Sequence, residues 1–115
     1  MIKEYERKKD GFDIVMKSDG WQMAIVTYEE QYDAKNCTKM ARHLTTDEAF
    51  VLVEGDAVLY TADENNLQRE IKLVKNKIYV VEKGTWHALV LSRDAVAVAT
   101  ENADVKPQDT ERKVL

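Results

Sequence analysis

The stretch Arg42-His43-Leu44-Thr45-Thr46-Asp47-Glu48-Ala49-Phe50-Val51-Leu52-Val53-Glu54-Gly55 decides how this chain folds. Its apolar run, Ala49–Val53, is too short and too β-branched for a helix, and Gly55 closes it as a turn. Thr46 has the chemistry of a helix N-cap, but no helical periodicity follows it. The run therefore reads as a strand. Its unbroken apolar character implies that both faces are covered. Alternation puts Phe50 and Leu52 on the face of Glu48, and Ala49, Val51 and Val53 on the other.

Outward from this strand the same pattern repeats. Short runs rich in Val, Ile, Tyr, Phe and Thr recur every roughly 8–12 residues, the spacing of a sandwich or barrel. Strands are expected near Phe12–Met16, Trp21–Tyr28, Cys37–His43, Ala49–Glu54, Ala57–Thr61, Leu67–Leu73, Lys77–Val81, Trp86–Ser92 and Ala95–Thr100. Turn residues separate them, at Ser18-Asp19-Gly20, Glu54-Gly55-Asp56, Ala62–Asn66, Lys83-Gly84 and Arg93-Asp94, so consecutive strands are expected to be antiparallel neighbours. The fold class is all-β. The 115 residues fit one domain, with a core over about 12–102 and a polar tail over about 103–115. That tail, which holds the single proline, Pro107, is either disordered or an arm lying on another subunit; the terminal Val114-Leu115 favours some packing.

Composition excludes several functions. A net charge of -4, with basic residues interleaved among acids, offers neither nucleic acid nor an anionic membrane a clustered positive surface. No apolar run approaches the ~18 residues of a membrane span, and the charged stretch Met1–Asp10 does not resemble a secretory signal, so a cytoplasmic protein is expected. Cys37 is the only cysteine, which rules out an intrachain disulfide; it reads as a small strand residue. Nucleophile motifs, phosphate-binding glycine loops and nucleotide fingerprints are lacking, which leaves hydrolase, kinase and dehydrogenase chemistry without support.

The chemistry-bearing residues gather around two turns. His43 ends one strand and Glu48 opens the next, so a turn between antiparallel strands returns both side chains to one end of the sheet. Glu82-Lys83-Gly84-Thr85-Trp86-His87 repeats the arrangement, delivering the second of the chain's two histidines after a glycine turn. Two neutral imidazoles and a carboxylate can hold Fe(II), Mn(II), Ni(II) or Zn(II) with positions left open for substrate. The plainer alternative has both histidines merely ending strands and Glu48 beside a turn. Asp47 neighbours Glu48, but only one of two consecutive strand residues points inward. Lys39, Phe50, Tyr60 and Tyr79 are the further candidates for cavity walls and ligand contacts; Trp86 should face away from His87.

The stretch from Arg42 to Gly55 resembles the first motif of the cupin family, His-x-His, three or four residues, Glu, six residues, Gly. Glu82 through Leu91 is similar to the second, Pro-x-Gly-x-x-His-x-x-x-Asn, with Gly84 and His87 in place. The resemblance covers about Cys37 to Asn102 and implies a jelly-roll barrel enclosing a cavity. In metal-binding cupins the ligands are the motif histidines and glutamate, which would be His43, Glu48 and His87 here. Ala41 stands where the first histidine belongs, Glu82 replaces the motif proline and Leu91 the asparagine, so the ligand set is one short. The resemblance leaves two functions open. One is a metal-dependent isomerase, lyase or dioxygenase acting on a small polar metabolite; the other is a metal-free ligand-binding or regulatory module. A homodimer is expected in either case, with the largely apolar Trp21–Tyr28 supplying surface.

Overall fold

A computed structural model describes residues 1–114, and among them are ten β-strands and no α-helix. No helix is therefore long and apolar enough to cross a membrane. One antiparallel sheet runs β1 (Phe12–Lys17), β2 (Gln22–Thr27), β9 (Val96–Glu101), β4 (Glu48–Glu54), β7 (Ile78–Val81). The other runs β10 (Thr110–Val114), β3 (Lys39–His43), β8 (Trp86–Leu91), β5 (Ala57–Ala62), β6 (Gln68–Lys72). Nine of these strands match the nine expected from alternation.

The tenth corrects the sequence reading. The polar tail turns through Pro107–Asp109 and pairs along β3 of its own chain, Thr110 opposite His43 and Arg112 opposite Ala41. Its polar composition suits an edge strand: Glu111 bonds Arg42, and Lys113 reaches over Trp86 on the outer face. Val114 is exposed, and Leu115 lies outside the described residues.

The expectation that consecutive strands would be neighbours also fails for most of the chain. Among the described residues only β1–β2 and β5–β6 are hairpins; at every other connection the chain crosses to the opposite sheet. In β4, Phe50 and Leu52 point into the sandwich, while Ala49 and Val51 lie half-buried on its outer face, which the chain itself does not cover. The inner faces of both sheets supply the core, which includes Ala24, Val26, Leu52, Leu59, Leu91, Ala97 and Ala99. Each fully buried Leu or Val contributes about 1.5–3 kcal/mol of transfer free energy.

Toward one end of the sandwich the inner alternation turns polar. Ala24 and Val26 are preceded by Gln22, Phe50 by Glu48, and Ala97 and Ala99 are followed by Glu101. Strand register sets Gln22, Glu101 and Glu48 in one row across three strands. In the opposite sheet the row is Arg112, Ala41, His87 and Thr61. The site lies between these two rows.

Candidate metal centre

His43 and Glu48 come from opposite sheets, joined by the turn Leu44–Asp47. Hydrogen bonds tie this turn and the end of β3 to distant segments. The Gly84 N–H donates to the His43 carbonyl (2.7 Å), and the Lys83 N–H to Asp47 Oδ1 (2.8 Å). The Asn102 N–H donates to Thr46 Oγ1 (3.0 Å). The two sequence motifs are thus stitched backbone to backbone. Asp47 points outward to cap the second turn, leaving Glu48 to face the cavity, as alternation requires.

His43 Nε2 lies 3.3 Å and His87 Nε2 3.4 Å from the same oxygen, Glu48 Oε1. One ligand atom from each of the three side chains falls within 4.8 Å of the others. Each ring is oriented through its other nitrogen, His87 Nδ1 at 2.9 Å from the Thr85 carbonyl and His43 Nδ1 at 2.9 Å from Thr110 Oγ1. A carbonyl only accepts, so the His87 Nδ1 carries a proton, and in the neutral ring the Nε2 lone pair faces the carboxylate. Two acceptors face to face require a cation between them, either a proton on Nε2 or a metal ion. This donor chemistry fits a divalent metal, with the Thr85 carbonyl fixing the ligating tautomer of His87 and Thr110 orienting the His43 ring.

The electrostatics agree. Burial pushes the Glu48 carboxyl up, but the contacts with His43 and His87 outweigh it and hold the group below the ordinary carboxylate range. The contact with Glu48 raises the His43 imidazole, against burial. Glu101, Glu48's cross-strand neighbour, is raised by burial and then by the Glu48 charge. Its Oε2 is 3.9 Å from His43 Nε2, and Gln22 Nε2 donates to its Oε1 at 3.0 Å.

These groups open into a cavity of about 660 Å³. Phe50 lines it and meets His87 edge-on, ring centroids 6.4 Å apart, while Lys39 stands at its rim, exposed. Tyr60 and Tyr79, also expected in its walls, do not reach it. Tyr60 sits on the outward parity of β5, between Ala88 and Glu70. Tyr79 packs on the core and its phenol oxygen accepts the Val74 N–H at 2.9 Å. Trp86 faces away, beneath the Arg42 guanidinium at 4.5 Å.

Sequence reasoning missed Glu101, Arg112 and Tyr32, all of which line the cavity. A charge at the inward parity that follows Ala97 and Ala99 was the available signal for Glu101. Arg112 required knowing that the tail pairs with β3. Tyr32 enters from a 3-10 turn, Glu30–Tyr32, and its phenol is pushed up to about 12 by burial and the nearby Glu29 and Glu48 charges. Cys37 is half-buried at the cavity edge, its thiol raised by burial and so not a ready nucleophile.

No protein-family model and no curated protein matches the sequence. Solved structures do match in fold. Pac13 from Streptomyces, a nucleoside dehydratase, superposes with a TM-score of 0.69 at 15% identity, over 97% of this chain and 87% of that one. A cupin-2 domain protein from Shewanella frigidimarina gives 0.58 at 18% identity, covering 82% and 81%. Fe(II)-HppE gives 0.60 at 14% identity, covering 79% of this chain and 48% of the other. At these identities the likeness is one of fold, and it gives this two-sheet chain the fold of the cupin structures it matches.

Proposed function

We propose that the cavity binds a small polar metabolite beside a divalent metal ion held by His43, Glu48 and His87. The observation that carries this reading is the convergence of two oriented Nε2 atoms on one buried carboxylate oxygen, at 3.3 and 3.4 Å. Bound there, Fe(II), Mn(II), Ni(II) or Zn(II) would act as a Lewis acid on a carbonyl or hydroxyl, the chemistry of isomerases, lyases and dioxygenases. The chain's own residues do the rest. His43 and His87 keep Nε2 aimed inward through Thr110 and the Thr85 carbonyl. Phe50 and Leu89 supply an apolar wall. Lys39 and Arg112 place positive charge at the mouth, suited to an anionic group on the ligand. Small metabolites in this kind of barrel have precedent in Pac13, solved with uridine, and Fe(II)-HppE, solved with (S)-1-HPP.

Metal titration of the purified chain, by calorimetry with Mn(II) and Zn(II), tests this directly. One ion per chain is expected, with His87→Ala weakening binding by at least about a hundredfold. Absence of binding at micromolar metal ends the metal reading. Stabilisation of metal-free protein by a metabolite would then favour a ligand-binding module, which the methyl of Ala41 at a ligand position already suits. As part of the same proposal, the chain forms a homodimer through the outer face of the β1-β2-β9-β4-β7 sheet. Met23, Ile25, Val51, Val98, Ile78 and Val80 make that face apolar, and Ile78 and Val80 are 72% and 56% exposed.

A further inference from the structure

We infer that Glu101 is a fourth direct ligand of the metal ion, supplying from β9 the donor that the cupin motif would place at Ala41 on β3. The inference rests on the metal-binding reading above. Ala41 stands opposite His87 in the β3–β8 register, where its methyl offers no lone pair. Across the cavity, Glu101 stands opposite Glu48 on the adjacent strand, on the inner face.

Glu101 is held as a ligand would be. Gln22, itself buried, donates to Oε1 at 3.0 Å, which leaves Oε2 on the side of the His43 imidazole. Oε2 is buried and has no hydrogen-bond partner among the described residues, though it lies 3.9 Å from His43 Nε2. A buried carboxylate oxygen without a partner is costly, and the cost grows beside a second buried carboxylate. A divalent cation removes both problems. Donors bound to one ion at about 2.0–2.2 Å lie between about 3 and about 4.4 Å apart, so the 3.9 Å separation suits two ligands of a single ion. Two carboxylates and two neutral imidazoles balance the charge of the ion, which makes the vacant position at Ala41 unnecessary.

Mn(II) alone is the probe, with affinity read by calorimetry and coordination by electron paramagnetic resonance. Glu101→Gln keeps the shape and removes the charge; it is expected to weaken Mn(II) at least about tenfold and alter the spectrum. Glu101→Asp, which keeps the carboxylate, should fall between the two. Ala41→His added to Glu101→Gln should recover most of the lost affinity by restoring the motif ligand. Wild-type binding with Glu101→Gln unchanged within about threefold overturns this inference and leaves the three-residue site intact. Failure of the wild type to bind Mn(II) or Zn(II) overturns both. Thermal melts of the metal-free variants establish that each is folded, and if Glu101→Gln is not, the affinity and spectrum of Glu101→Asp decide: a wild-type spectrum and affinity there count against direct ligation.

Discussion

Glu48 is nearly inaccessible to solvent, and one oxygen of its carboxylate meets both imidazoles. Its pKa is lowered, so its contribution to stability is present above the unfolded value near ~4.3 and lost as the pH falls through the lower folded value. His43 is raised, so its contribution is full below about 6.5 and lost as the pH climbs through the raised value. Glu101, also raised, loses its contribution in the same direction, from about pH 4.3 upward. Metal-free protein should therefore melt progressively lower as the pH rises from about 6 to 8, at roughly 4–8 °C per kcal/mol lost. Metal binding requires neutral imidazoles, so the rise in melting temperature caused by Zn(II) should grow over the same interval. Scanning calorimetry with and without chelator measures both, and a metal-free midpoint that climbs with pH would contradict the ion-pair geometry.

At the scale of elements, the site depends on two features that hold strands in place. Gly55 ends β4 with φ +72, and a Cβ there would lie 2.7 Å from Ala95 Cα and 2.8 Å from its nitrogen, both backbone. Gly55→Ala combines a left-handed conformation, about 1–2 kcal/mol, with overpacking against backbone. A loss of about 2–4 kcal/mol is expected in urea unfolding, and a loss below about 0.5 kcal/mol would mean the turn relaxes. The second feature is β10, which brings Thr110 to His43 Nδ1 at 2.9 Å. Thr110→Val removes that partner while keeping the strand. Metal affinity is expected to fall about tenfold or more, the usual effect of losing an outer-shell hydrogen bond, with little change in the melt.

For the whole molecule, the apolar outer face is the feature that a lone sandwich leaves unused. Val51 sits near its centre, flanked by Ile78 and Val98 on adjoining strands. Val51→Lys places an ammonium there without touching the inner core. Analytical ultracentrifugation should find wild type as a dimer and the variant as a monomer with metal affinity unchanged, since the site lies on the other side of the sheet. A wild-type monomer at tens of micromolar would remove the dimer from the proposal.

Period-two alternation is a local property, and the sequence alone therefore determined nine strands, the inward parity of Glu48 and Phe50, and the spacing that singled out His43, Glu48 and His87. Those signals act over a few residues, because adjacent strand side chains must point to opposite faces. Which strands become neighbours is a different matter. Gln22 and Glu101 are 79 residues apart in the chain and share a hydrogen bond, a pairing that no local pattern encodes. The crossing between sheets, the return of the polar tail as β10, and the arrival of Glu101, Arg112 and Tyr32 at one cavity were decided only by the tertiary structure. Its long-range register selects which inward-facing groups meet.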